Sequence, residues 1–275
     1  MQKIDIDYNV IYHSNFFGDY KIIEEVGVWD EQRHVKIKFF NTGSERIITL
    51  GHAMSGEVRD LYAKTVYGVG YLGDFIDDEF KSIIYKPWAS MIGRCYAVGK
   101  PFYTAYGGIG VKVADEWHCF ANFQQDAKYL YNYENFINNP AHYELDKDYL
   151  QQNIPKPQRI YSKQTCLFLL DIDNNNLHAL ENNMLNQDSM SSKYIGVSRC
   201  RDKTMNYEAI IRLNGKKYRI GTFTNEIAAA NAYNYYFDKF VKYELVRLHN
   251  DVPYMPPEIW SQYRSRKTEV IKIVK

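Results

Sequence analysis

Apolar and polar residues alternate strictly along Val35-Lys-Ile-Lys-Phe39, and β-branched and aromatic residues crowd Tyr20 to Val26. Both stretches predict strands, Asn41 to Ser44 supplies a turn, and Glu45 to Leu50 predicts a further strand. Trp88, Met91, Ile92, Cys95 and Tyr96 recur at helical spacing, which predicts an amphipathic helix beginning just after Pro87. Gly107, Gly108 and Gly110 suit a tight turn before the alternating Val111-Lys-Val113, and Trp117, Phe120 and Phe123 fall on one face of a second helix. Tyr131 to His142, rich in Tyr and Asn, reads as loop. Glu144 to Asp148 reads as extended, Cys166 to Leu170 as a buried apolar strand, and the polar run Asp171 to His178 as a short helix.

After a polar linker at residues 187–192, the last third is patterned most clearly. Lys193 to Val197, Tyr207 to Arg212 and Tyr218 to Phe223 predict three strands. Asn214-Gly215 is a strong two-residue hairpin signal, and the Ala-rich run from Glu226 to Tyr233 predicts a helix. Period two places Ala209, Ile211, Tyr218 and Ile220 on one sheet face, where Ala228, Ala229 and Ala232 let a helix pack close. The opposite face then carries Arg212, Lys217 and Arg219. The tail starts extended at Pro256 and Pro257 and ends in the apolar-basic Val270 to Lys275.

Composition changes this picture mainly through charge. The net charge of +1 conceals a gradient: residues 1–80 hold 8 Lys/Arg against 14 Asp/Glu, and residues 191–275 hold 16 against 8. Basic charge gathered at one end is the footprint of a module that meets a polyanion. The acidic N-terminal part is expected to serve positioning or partner contact rather than to meet that polyanion. No apolar run has the length of a membrane span and the first residues lack a signal-peptide pattern, so a cytoplasmic protein without membrane association is expected. Cys95, Cys119, Cys166 and Cys200 are scattered, which suggests buried thiols rather than a zinc ribbon or a disulfide framework. Gly68-Val-Gly-Tyr-Leu-Gly73 matches the dinucleotide fingerprint by letter. No buried strand precedes it and an acidic run follows, so a flexible connector is the expected role.

Two stretches carry resemblances. Residues 85–123 and the segment Leu145-Asp146-Lys147-Asp148, followed by Cys166 and Asn174, resemble the HNH endonucleases common in bacteriophages. The resemblance implies a ββα-metal core in which Asp146 and Asn174 share Mg2+ (or Mn2+), with Lys147 and His178 completing the catalytic set. Lys147 stands where competent members often place the general-base His, and Thr165 where they often place the middle Asn. Lys147 is therefore expected to hold phosphate, leaving the base role to His178 or to metal-bound hydroxide. Residues 192–242 resemble the Apetala, or ethylene-response-factor, DNA-binding domain. That resemblance implies double-stranded DNA as partner, met by Arg199, Arg201, Lys203, Arg212, Lys217 and Arg219.

The expected fold is α+β in four parts. They are a small β domain (1–75), an HNH-like ββα-metal unit with flanking helices (76–190), a three-stranded antiparallel sheet on one helix (191–248) and a tail (249–275). Two functions follow from different classes: a phage-type homing or nicking endonuclease docked by its C-terminal domain, and a non-catalytic DNA- or protein-binding factor on a degenerate HNH scaffold.

Overall fold

The computed structural model describes residues 5–74, 81–185, 190–200, 206–213 and 216–264. The chain divides into two compact units, Met1–Pro140 with Leu145–Phe168, and Ala141–Glu144 with Leu169–Lys275. Residues 1–75 and most of 76–190 thus fall in the first unit, while 191–275 falls in the second.

The first unit opens with a four-stranded antiparallel sheet in chain order, β1 (Ile11–Ser14), β2 (Gly18–Trp29), β3 (Gln32–Phe39) and β4 (Glu45–Thr49). The three expected strands are present, and β1 joins them. Tyr20, Ile22, Val35, Ile37 and Phe39 form its buried face, as the alternation requires. The last strand stops at Thr49, whose hydroxyl accepts from His52 N and caps α1 (Leu50–Ser55).

Helix α2 (Lys81–Tyr96) starts before Pro87 rather than after it. Proline inside a helix removes the bond to the carbonyl four residues back. Here Ile84 and Trp88, four apart and flanking the proline, are both fully buried, and their packing offsets that loss. Trp117 lies in a 3-10 turn, Asp115–His118, and leads into α3 (Phe120–Ala127); Trp117, Phe120 and Phe123 are all buried. Residues 68–73 are not a flexible connector. A Cβ on Gly70 would press on the Trp88 ring at 3.1 Å, and one on Gly73 would lie 2.3 Å from Cys119 Sγ. The glycines allow close packing against α2 and the 119 segment, which explains the spacing without a nucleotide.

Part of the expected loop at 131–142 is helical, α4 (Tyr133–Asn138). Its Tyr133 and Phe136 are buried, and Phe136 stacks on Phe168 at 4.1 Å, a two-residue stripe that the Asn-rich composition hides. β5 (Lys112–Val113) pairs in parallel with β7 (Ile160–Tyr161). β6 (Tyr143–Asp146) and β8 (Leu167–Leu170) make a two-stranded sheet, and both strands cross the division between the units.

The second unit contains α5 (Asp171–Leu185) and an antiparallel sheet in the order β11 (Lys216–Phe223), β10 (Tyr207–Leu213), β9 (Val197–Arg199). The first strand starts at Val197 instead of Lys193. Gly196 adopts φ 70°, and a Cβ there would strike the Tyr233 ring and the Ile210 carbonyl, so regular pairing begins beyond it. Asn225 caps α6 (Glu226–Phe240) by accepting from Ala228 N at 3.0 Å. Ala228, Ala229 and Ala232 pack with Ala209, Ile211 and Ile220, as the alternation predicts.

This core also recruits Ile172, Ala179 and Leu180 of α5, and Val252, Met255 and Trp260 of the following segment, where α7 (Pro257–Trp260) lies. The Asn214-Gly215 turn, residues 187–189 of the linker and the 270–275 end lie outside the described residues. Among the described residues no helix is long and apolar enough to cross a membrane. The architecture is α+β, with antiparallel sheets toward both ends.

Candidate functional site

The outer face of the C-terminal sheet is built by cross-strand pairing. Arg212 of β10 stands opposite Lys217 of β11, Ile210 opposite Arg219, and Glu208 opposite Thr222. A bulge between Ala209 and Ile210 resets the register, which keeps Arg219 exposed while Ile220 turns into the core. Arg212 and Lys217 are exposed, and no described carboxylate pairs with either. Arg219 ion-pairs with Glu208 and donates to Thr222 Oγ1 at 2.8 Å.

Arg199 stands opposite Tyr207, with its guanidinium 5.8 Å from that ring, in register with the strand positions that alternate away from Arg212. Arg201 and Lys203 lie outside the described residues. The site therefore gathers three of the six expected cations on one face. Glu208 was absent from the expected set, although its position two residues before Ile210 and four before Arg212 marks it for the same face.

The acidic segment is buried rather than presented. Asp146 is 5% exposed, and its Oδ1 accepts from the backbone N–H of Tyr149 at 2.7 Å and of Asp148 at 3.0 Å. Burial pushes its carboxyl up to about 6, against the pull of those N–H groups. Lys147, 3% exposed, places both oxygens of Asp148 within 2.8 and 2.9 Å of its ammonium, which lies 4.6 Å from the Tyr106 ring centroid and 5.1 Å from that of Tyr161. Arg159 Nη1 donates to the same Asp148 at 2.8 Å. Burial drives the Asp148 carboxyl upward, but Lys147 and Arg159 outweigh it and hold it below the usual range.

Gln151 closes the segment by donating to the carbonyls of Lys147 and Ile160. Thr165 donates to the Ile160 carbonyl and accepts from Ser162 N. Lys147 is thus an internal counter-ion of Asp148, and Thr165 a turn-forming residue. Arg159, Tyr106 and Tyr161 were not anticipated, because nothing in local spacing joins them to position 148.

Asn174 and His178 belong to the other unit. Asn174 Nδ2 donates to Glu144 Oε2 at 2.7 Å, while its Oδ1 is buried without a described hydrogen-bond partner. His178 is half-buried one turn further along α5. The most committed polar group of this helix is Asp173, fully buried, which accepts from the backbone N–H groups of Glu244, Leu245 and Val246 at 3.0 to 3.2 Å. Asn176 adds a bond to the Val246 carbonyl at 2.8 Å.

Asp146 Oδ1 accepts from two N–H groups beside a buried ammonium, and Asn174 donates through Nδ2 to Glu144, which leaves Asn174 Oδ1 as its oxygen donor. Among the described residues no three His, Cys, Asp or Glu side chains converge as a metal site would need. No protein-family model, curated protein or solved structure matches this chain.

Proposed function

We propose that the chain is a duplex-DNA-binding protein on the plan of phage HNH endonucleases, docking through the face of β10 and β11 that carries Arg212, Lys217 and Arg219. The observation that carries this reading is the directly opposed Arg212 and Lys217, two exposed cations with no described carboxylate partner. A twisted sheet of this size enters a major groove, and a polyanion supplies the counter-charge the face lacks. The acidic N-terminal sheet serves contact with a phage or host protein, and the protein works in the host-cell cytoplasm. The buried segment at 145–148 acts as an internal brace of the first unit. Duplex binding by the full chain, measured across salt concentrations, tests the reading, since phosphate neutralisation releases counterions.

Metal-dependent nicking is the second reading, and one observation favours it. Asp146 is a buried carboxyl raised to about 6, and perturbed carboxyls gather at working sites. A nick in supercoiled plasmid that needs Mg2+ or Mn2+, stops with EDTA and disappears in Asp146→Ala would establish it. Conversion equal in wild type and Asp146→Ala would remove it.

A further inference from the structure

The first unit holds a pocket of about 590 Å3. Among the described residues its apolar lining is Phe17, Leu72 and Tyr85, and its polar lining includes Arg59, Thr65 and Ser82. The three apolar residues are half-buried, whereas Arg59, Thr65 and Ser82 are exposed.

Each wall is fixed by contacts of its own. Phe17 lies in the turn between β1 and β2, where Ser14 Oγ accepts from Phe17 N at 3.3 Å and donates to the Val58 carbonyl at 2.6 Å. That hydroxyl ties the Phe17 turn to the residue before Arg59. Leu72 N donates to the Leu61 carbonyl at 3.0 Å, and the Leu72 carbonyl accepts from Ala121 N at 2.9 Å. The Tyr85 ring packs 5.3 Å from both Trp88 and Phe120. A pocket of this size with walls already in place needs little reordering to take a small ligand.

Charge narrows the ligand class. Asp60 also lines the pocket but is 2% exposed and committed elsewhere, its Oδ2 accepting from Thr42 Oγ1 at 2.6 Å and its Oδ1 from Ser44 Oγ at 2.8 Å and Tyr62 N at 2.9 Å. Arg33, Lys36 and Lys38 of the sheet each pair with a glutamate. Arg59 has no ion pair among the described residues, although residues 1–80 hold 14 Asp/Glu against 8 Lys/Arg. An unpaired guanidinium beside apolar walls complements an apolar ligand with an anionic head, and a carboxylate offers its fork two oxygens. A doubly charged phosphate would meet more of the surrounding negative charge than a carboxylate does.

We propose that this pocket binds a small aromatic carboxylate, with Arg59 taking the carboxylate and Phe17, Leu72 and Tyr85 enclosing the ring. The site belongs to the first unit and is independent of the duplex-docking reading, which concerns the second.

The test is calorimetric titration of the full chain with hydrocinnamate, its neutral amide and phenyl phosphate, on wild type, Arg59→Gln and Thr65→Trp. Both substitutions fall at exposed positions, and thermal melts verify folding. The wild type should bind hydrocinnamate about tenfold or more tightly than the amide. Arg59→Gln should erase that difference and leave the weak binding of the amide, while Thr65→Trp, which sets a bulky ring in the pocket, should weaken both. Equal binding of acid and amide, a preference for the acid that survives Arg59→Gln, or binding indifferent to Thr65→Trp overturns the assignment. Tighter binding of phenyl phosphate than of hydrocinnamate overturns the choice of a carboxylate, and failure of all three compounds to bind overturns the site.

Discussion

Arg212 and Lys217 are direct cross-strand partners, two like charges facing each other on one exposed sheet surface. Such a pair costs a sheet roughly 0.2–1 kcal/mol in the free protein. Arg212→Ala and Lys217→Ala should therefore each raise thermal stability slightly while weakening duplex affinity. Unfolding midpoints and binding curves on the same preparations check this. Two variants that lose stability and affinity together would show that the cations serve the fold instead.

Asp146 yields a pH signature. Its folded pKa of about 6 lies above the ordinary value of 3.8. Its contribution to stability is thus fully present below that ordinary value and is lost as pH rises through 6. Asp146→Asn keeps an acceptor for the Asp148 and Tyr149 N–H groups without the buried charge. Relative to wild type, the variant should gain on the order of 3 kcal/mol between pH 4 and 7. Asp146→Ala strips both N–H groups of their acceptor and should cost about 1–3 kcal/mol. Denaturant unfolding of the three proteins at pH 4, 5.5 and 7 decides it, and a stability difference independent of pH would contradict the burial argument.

Asp148 has the opposite sign. Held below the ordinary carboxylate range by Lys147 and Arg159, it contributes stability above that range, and this is lost as pH falls through its folded value. Asp148→Ala removes the carboxylate that the buried Lys147 and Arg159 share and should cost about 3–5 kcal/mol. Lys147→His breaks the same pair, so its main effect should be lost stability rather than gained cleavage. Thermal melts near pH 7 measure both.

Asp173 gathers the N–H groups of three consecutive residues, Glu244 to Val246. Asp173→Ala should speed amide hydrogen exchange at those three positions far more than in β10. Uniform acceleration across the second unit would mean that Asp173 supports the whole core and not that one segment.

Much of the secondary structure was legible because it follows from short-range pattern. The alternation at Val35 to Phe39 and at Tyr207 to Arg212 gives strands, and the alanines of α6 mark the face that packs. The elements that escaped depend on distant partners. Pro87 is tolerated because Ile84 and Trp88 share a buried face, and α4 is held by the stack of Phe136 on Phe168. The 144–148 segment shows the limit for sites. Two carboxylates around a lysine read as an open metal and phosphate site, but Arg159, eleven residues on, supplies the second cation that turns the group inward. On the sheet face the facing of Arg212, Lys217 and Arg219 was legible, whereas the facing of Arg199 depends on where β9 begins.

The most direct test is the affinity of the full chain for a duplex of fixed length, measured from low to physiological salt in wild type, Arg212→Ala and Lys217→Ala. The account predicts that log affinity falls linearly with log salt and that each variant reduces the slope by about 1. Binding that ignores salt, or a slope unchanged by either substitution, would contradict docking through this face.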